Sequence, residues 1–349
     1  MYHPRGRASR ARQSSNIVSS LLVSDILPER SASLPPLRIE YAREDPAVPL
    51  AGADVLAVIG FGRSAPAHDD PRSLRVGLEV VGDAVVEVWR ASGPVRSGRD
   101  GAIRWSCDAD YGYFAIEIAE PGGEDIAAAA ETAYRELIGH VRASATPHVL
   151  RLWNYFDAIN LGDGDDERYR RFCVGRSRGM AGFWQERYPA ATAIGRRDGV
   201  RVLQVYALAA RSPGVPVENP RQVNAWRYPR EYGPTPPTFA RGMQTPADQL
   251  LISGTAAVVG SRSRHADDVS AQLDETLANL ASLIESANAG RDGAIGPGSL
   301  LKAYVRDGAD AALVSTRLRA AFAGLDGLLV VEGDICRREL LVEIDGLGA

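Results

Sequence analysis

One pattern of elements occurs twice in this chain. Residues 250–349 run strand, long amphipathic helix, strand, helix, strand, strand, and the stretch from about 113 to 208 runs strand, helix, strand, helix, strand in the same order. The duplication constrains the fold more than any single motif does. Two α+β units, each a mixed sheet with helices packed on one face, must cover their second faces with something. The cleft between the units is then the expected place for a small-molecule site.

The second copy is the more regular. Residues 250–259, Leu-Leu-Ile-Ser-Gly-Thr-Ala-Ala-Val-Val, form an apolar strand broken by a small Ser-Gly-Thr element where the backbone can approach a ligand. Asp267 and Asp268 open a helix to about 288, on which Val269, Leu273, Leu277, Leu280, Leu283 and Ile284 make one apolar face. Residues 300–306 return as a strand, 309–322 form a second helix, and 328–336 and 339–345 close the unit as strands. The last strand sets Leu341, Glu343 and Asp345 on one side and Leu340, Val342 and Ile344 on the other. That acidic side is either solvated or lines the cleft, where a desolvated carboxyl gains a raised pKa and can donate a proton.

In the first copy, residues 113–119 form a strand, 124–145 a helix, 149–156 the returning strand, 166–176 a helix, and 200–208 a strand that carries Tyr206. Arg151 and Tyr155 here, and Tyr304 and Arg306 in the second copy, sit at comparable places after their helices, which favours carboxylate binding over a solvated strand end. Arg176, at the end of its helix, can face the cleft, whereas Cys173 reads as core.

The expected division is a disordered or loosely attached leader over 1–35, a first α+β domain over 36–208, a proline-rich connection over 209–249 and a second α+β domain over 250–349. The connection holds Pro213, Pro216, Pro220, Pro229, Pro234, Pro236, Pro237 and Pro246, a density that forbids regular ladders. It is either a structured link with aromatics filling gaps or a wall of the cleft offering Arg221, Gln222, Asn224, Tyr232 and Arg241.

The net charge of -4, with no basic stripe, argues against a nucleic-acid partner. No apolar run reaches the roughly 20 residues that span a bilayer, and the amino terminus has no apolar signal core, so a cytoplasmic protein is expected. Cys107, Cys173 and Cys336 lack metal-ligand spacing and the scattered histidines join no cluster, so neither a metal nor a disulfide is expected. No phosphate-cradling loop, nucleophile elbow or His-Glu-x-x-His is present, and Gly60-x-Gly62 reads as a turn. Lys302 is the only lysine, so the many arginines reflect base composition and each is weak evidence by itself.

Ile-Ser-Gly-Thr at 252–255, the helix segment 267–280, Leu-Lys-Ala-Tyr-Val-Arg-Asp at 301–307 and Leu-Leu-Val-Glu-Ile-Asp at 340–345 resemble the RidA/YjgF superfamily, whose units have a chorismate mutase-like fold. Upstream, Arg151-Leu-Trp-Asn-Tyr-Phe156 with Ile159-Asn160, the segment 167–176, Tyr188-Pro-Ala-Ala-Thr-Ala-Ile-Gly195 and Gln222-Val-Asn-Ala-Trp226 resemble the chorismatase family, whose catalytic domain is a RidA-like unit. Together the matches cover roughly residues 100–349.

The resemblance implies cleavage of chorismate to pyruvate and a cyclic acid without cofactor or metal. A glutamate on the last strand is the family's proton donor, and Glu343 matches it, with Asp345 as fallback. Cationic donors clamp the two carboxylates, and Arg151, Arg176, Arg241 and Arg306, with Tyr155, Tyr206 and Tyr304, are the candidates. A glycine and a cysteine mark the branch that makes 3-hydroxybenzoate, and Gly242 and Cys336 match them; the other branch uses water and leaves a dihydroxycyclohexadiene carboxylate. A RidA-type imine deaminase and a non-catalytic metabolite binder are the other classes in play. Single-domain RidA proteins are trimers, but an internal duplication supplies part of that interface within one chain, so a monomer or weak oligomer is expected.

Overall fold

A computed structural model describes residues 34–83, 85–183, 187–287, 295–296 and 298–348. The expected leader lies outside the described residues as far as residue 33. Leu34 is already part of the central core, and the Pro35 carbonyl accepts a 2.9 Å hydrogen bond from the Tyr111 hydroxyl.

In chain order, β1 (Arg38–Ala42), α1 (Ala47–Leu50), β2 (Val55–Phe61), β3 (Ser73–Val76), β4 (Glu79–Val80) and β5 (Val86–Arg90) come first. The first repeat is β6 (Arg96–Asp100), β7 (Ile103–Cys107), β8 (Tyr111–Ala119), α2 (Ile126–Ala143), β9 (His148–Asp157), α3 (Arg168–Gly179), β10 (Ala190–Arg196) and β11 (Val202–Ala210). The second is β12 (Val215–Val217), β13 (Gly242–Gln244), β14 (Leu250–Ala256), the hairpin β15 (Val258–Val259) and β16 (Arg262–Ser263), α4 (Val269–Ala287), β17 (Leu300–Val305), α5 (Ala311–Ala321), β18 (Gly327–Glu332), β19 (Asp334–Ile335) and β20 (Val342–Gly348).

The duplication extends to the strand order. One sheet runs β10-β9-β11-β8-β7-β6 and the other β18-β17-β20-β14-β13-β12, with the same sequence of parallel and antiparallel pairs from β10 to β8 as from β18 to β14. Each sheet also takes one short strand from outside its own repeat: β19 extends the first beyond β10, and β4 extends the second beyond β18. The repeats are therefore stitched together, and all described residues belong to one compact unit.

Both helices of each repeat lie on one sheet face, as the amphipathic spacing requires. α2 and α3 cover Leu152, Phe156, Leu203 and Val205, while α4 and α5 cover Ile252, Leu301, Ala303, Val305, Val342 and Ile344. Asp125 caps α2 by accepting from the Ala128 N–H at 3.1 Å, and Asp268 does the same for Ala271 at 2.9 Å at the start of α4. No helix of the described residues is long and apolar enough to cross a membrane.

The uncovered sheet faces meet in a central core with an element that the sequence reading left out. β1, β5, β2 and β3 form a separate four-stranded sheet, and its Leu56, Ile59, Phe61, Leu74 and Trp89 pack among Tyr113, Trp153, Tyr155 and Tyr206 of the first large sheet and Leu251, Tyr304, Leu329 and Leu347 of the second. The residues assigned to the proline-rich connection also contain ladder strands. Among the described residues β12 with Pro216 pairs only with β13, and an edge strand tolerates proline because no second neighbour needs its missing N–H. Gly62, at the end of β2, has φ 97° and serves as the expected turn.

Candidate active site

Alternation along β20 decides where its acids go. Val342 and Ile344 enter the helix-side core, so Glu343 and Asp345 point to the seam between the two large sheets, where they are 4% and 2% exposed. Glu343 borders a cavity of about 320 Å³. Its lining includes Ala191, Thr192 and Ala193 of β10 and, directly against them, Gly254 and Ala256 of β14 with Glu343. Arg176 of α3 and the 336–340 loop with Cys336 and Arg337 complete the sides, and Gln222, Tyr228, Tyr232, Phe239 and Arg241 close the roof. The proline-rich segment is thus both a connection and a wall, although Arg221 and Asn224 stay out of the lining and Arg221 pairs with Glu275 on α4.

Burial, with the neighbouring charge of Asp345, raises the Glu343 carboxyl to about 8, against the partial opposition of Arg241, Arg151 and Arg337. The acid is therefore protonated at neutral pH and placed to give up a proton. Arg176, Arg241 and Arg337 line the same cavity, and none has a carboxylate partner within ion-pair distance among the described residues. Arg241 Nη2 donates to the Val223 carbonyl at 2.9 Å and to the Tyr228 hydroxyl at 2.6 Å, and Arg176 Nη2 donates to the Thr238 carbonyl at 3.0 Å. The Nε atoms of both have no partner among the described residues. Arg337 lies 4.1 Å from the ring centroid of Tyr232 and 5.1 Å from that of Tyr228. Two buried guanidinium groups, Arg176 and Arg241, and a half-buried one, Arg337, without carboxylates suit an anionic ligand with more than one acidic group.

The structure brings Glu343, Cys336, Arg176 and Arg241 together and corrects the placement of six other candidates. Arg151 does not reach the cavity. It is fully buried, with Nη2 2.9 Å from Asp345 Oδ2 and 3.0 Å from Thr192 Oγ1, while Nη1 donates to the Ile252 and Gly346 carbonyls. Arg306 pairs with Asp334 at 2.6 Å and donates to the carbonyls of Ile335, Arg337 and Leu340, so it clamps the 333–340 loop from behind. Tyr155 and Tyr304 meet hydroxyl to hydroxyl at 2.9 Å, with Tyr304 donating to Asp345 at 2.8 Å, inside the core. Tyr206 is equally buried and stacks on Trp153 with centroids 4.9 Å apart. Gly242 is a β13 residue opposite Ile252, and a methyl group there would meet Leu250, the Leu251 carbonyl and Leu283 rather than the cavity. Phe239 and Arg241 are the residues of that stretch that line it. Asp345, the fallback acid, is a hub, its Oδ2 accepting also from Thr192 at 2.9 Å and Trp153 at 3.2 Å.

Burial raises the thiol of Cys336, and Glu343 raises it further; burial also pushes Cys173 up to about 12. Both shifts favour the neutral thiol and disfavour a thiolate nucleophile. Iodoacetamide at pH 8 is expected to alkylate Cys336 at least about ten times more slowly than a free thiol, by mass-spectrometric peptide counting; a faster rate would contradict the assignment.

Comparison with known proteins agrees with this geometry. Residues 87–209 match the family described as Chorismatase FkbO/Hyg5-like, N-terminal. A chorismatase of Streptomyces rapamycinicus is 35% identical over 281 residues, covering 76% of this chain and 83% of the relative. A 3-hydroxybenzoate synthase of Streptomyces hygroscopicus is 31% identical over 320 residues, covering 86% and 93%. A chorismatase crystal structure superimposes with a TM-score of 0.81 at 31% identity, over 91% of this chain and all of that one. With the relatives spanned nearly end to end and a buried acid set among unpaired guanidinium groups, the chain belongs to the chorismatase family.

Proposed function

We propose that the chain converts chorismate to 3-hydroxybenzoate and pyruvate. The observation that carries this reading is a buried Glu343 carboxyl, its pKa raised to about 8, in a cavity where Arg170 and Arg338 pair with Glu167 and Asp163 while Arg176, Arg241 and Arg337 have no acidic partner among the described residues. Chorismate brings two carboxylates to satisfy those cations and an enol ether to accept the proton.

In the proposed route Glu343 protonates the enolpyruvyl methylene, which becomes the pyruvate methyl, and positive charge develops at the ether-bearing carbon. The substrate's C4 hydroxyl then displaces the ether oxygen at C3, and pyruvate leaves as the ketone; the oxygen now bridging C3 and C4 opens at C4, keeps the hydroxyl proton as the phenol, and the ring aromatises by losing the C3 hydrogen as a proton. One proton is taken up at the methylene and one is released on the way to the phenol, so no water enters the balance. The remaining wall favours this intramolecular course: Cys336 presents a neutral, weakly hydrogen-bonding thiol in place of a group that holds water. The likeness to a 3-hydroxybenzoate synthase supports the same branch, to which Gly242 adds nothing.

The test is product identification. Incubation with chorismate, followed by mass spectrometry and NMR, is expected to give pyruvate and 3-hydroxybenzoate in equal amounts. Pyruvate with a non-aromatic diene diol would replace the intramolecular branch by the hydrolytic one. Ammonia release from aminoacrylate with chorismate untouched would make the chain an imine deaminase.

A further inference from the structure

The residues around Glu343 hold a second, unassigned arrangement in the Ser253-Gly254 step of β14. Pairing of β14 with β20 slips there: Ile252 opposes Gly346 and Thr255 opposes Ile344, so Ser253 and Gly254 together face the single residue Asp345. This is a β-bulge, which breaks the ladder and re-aims the groups within it. The Gly254 N–H leaves its own sheet and donates at 3.0 Å to Thr192 Oγ1, on β10 of the other sheet. Ser253 Oγ makes the matching stitch, accepting from the Ala191 N–H at 2.9 Å and donating to the Ala240 carbonyl at 2.6 Å.

The Thr192 hydroxyl is fully used. It donates its one proton to Asp345 Oδ2 at 2.9 Å and accepts from Gly254 N–H and from Arg151 Nη2, both at 3.0 Å. Gly254, pinned in this way, lies against the acid: a methyl group at 254 would stand 1.9 Å from Glu343 Oε1 and 2.8 Å from its carboxyl carbon. Its φ is not positive, so conformational freedom is not why glycine is needed there; space is.

We propose that Thr192 and Gly254 are positioning residues for Glu343, the hydroxyl locking the bulge and the bare Cα leaving room for the carboxyl in the orientation that faces the cavity. The inference rests on the reading of Glu343 as proton donor. Its consequences do not all pass through turnover, because the groups facing Glu343, namely Asp345 on its own strand, Arg151 of β9, Tyr169 of α3, Arg241 of the roof and Cys336 and Arg337 of the loop, make its titration sensitive to where the carboxyl sits.

The experiment compares Gly254→Ala, Thr192→Val and Thr192→Ser with the full-length wild type, using pyruvate release from chorismate and an infrared titration of the Glu343 carboxyl band in ligand-free protein, assigned by its loss in Glu343→Gln. Gly254→Ala is expected to lower kcat about 100-fold with KM within about threefold, the size of effect that follows an ångström of misplacement. Its carboxyl band should titrate at least about one pH unit below the wild type as the group is pushed out of its dry seat. Thr192→Val should lose about tenfold in kcat, and Thr192→Ser, which keeps the hydroxyl, should recover most of it. Folded Gly254→Ala with wild-type kcat and an unshifted band would overturn the proposal, as would equal losses in the valine and serine variants. If wild type leaves chorismate intact but Gly254→Ala still lowers the band, the positioning role stands and the assigned reaction falls.

Discussion

Replacing Glu343 with glutamine lowers kcat for pyruvate release by a factor on the order of 10³, the middle of the range for a positioned general acid, with KM little changed. The amide keeps the shape of the side chain and removes only its ability to give a proton to carbon. Wild-type activity should be level below neutrality and fall as pH rises through about 8, where the carboxyl ionises, and the residual activity of the variant should lack that limb. In D2O the pyruvate methyl should carry one deuterium per turnover. Stability moves the other way. The folded group binds its proton up to about 8 and an unfolded one only to about its ordinary 4.5, so folding is penalised increasingly as pH rises between those values. Glutamine escapes that penalty, and the variant's melting point should exceed the wild type's more at pH 9 than at pH 5. Turnover of Glu343→Gln within tenfold of wild type would remove Glu343 from the mechanism.

This combination of an impaired reaction and a stabler fold is what a functional site with a desolvated acid predicts, since the same burial that keeps the Glu343 carboxyl protonated at neutral pH costs folding energy. It also shows how far the residues alone could speak. The repeat was legible because its helices carry a 3.6-residue apolar period and its strands a period of two, and the same alternation placed Glu343 and Asp345 on one face. What alternation could not give was the covering of that face. The small sheet of β1, β5, β2 and β3 comes from short strands without long-range period, and it is this sheet that closes the central core.

The arginines were the harder problem. Arg151 and Arg306 occupy repeated positions, which suggested a repeated role, yet each is neutralised locally, by Asp345 and by Asp334. Of the five arginines lining the cavity, Arg176, Arg241 and Arg337 are set apart from Arg170 and Arg338 only by their lack of carboxylate partners among the described residues, a property of tertiary contacts with no local signature. Arg337 was missed outright, although its place one residue after Cys336 was a usable hint. Gly254 did leave a trace, as the glycine interrupting an apolar strand. The approach it permits is that of a neighbouring carboxyl as well as a ligand.

Lys302 is the other residue whose meaning was hidden in plain composition. A chain that uses arginine for every other cation keeps its single lysine 2% exposed on β17, with Nζ 2.6 Å from Glu87 Oε2 on β5 and 4.6 Å from the ring centroid of Phe61. Burial by itself lowers an ammonium pKa, but Glu87, with Tyr155 and Asp345, outweighs burial and leaves the Lys302 value raised, so the ammonium is charged throughout the neutral range. A compact ammonium on a flexible stem fits between an aromatic face and one carboxylate oxygen where a guanidinium fork does not. Trp89 Nε1 donates to the other oxygen of Glu87 at 2.7 Å, so the pair is held from both sides and ties the small sheet to β17, the strand beside Glu343. Changing Lys302 to methionine keeps the volume and strands the Glu87 charge in the core, which should cost about 3–5 kcal/mol of unfolding free energy. Adding Glu87→Gln should return most of the loss, because the cost lies in the uncompensated charge rather than in the missing attraction. Urea unfolding of the two single variants and the double variant, followed by tryptophan fluorescence, measures the coupling directly. Additive losses would show that the pair does not bind the small sheet to β17, whereas a double variant more stable than Lys302→Met alone is the outcome that the buried geometry requires.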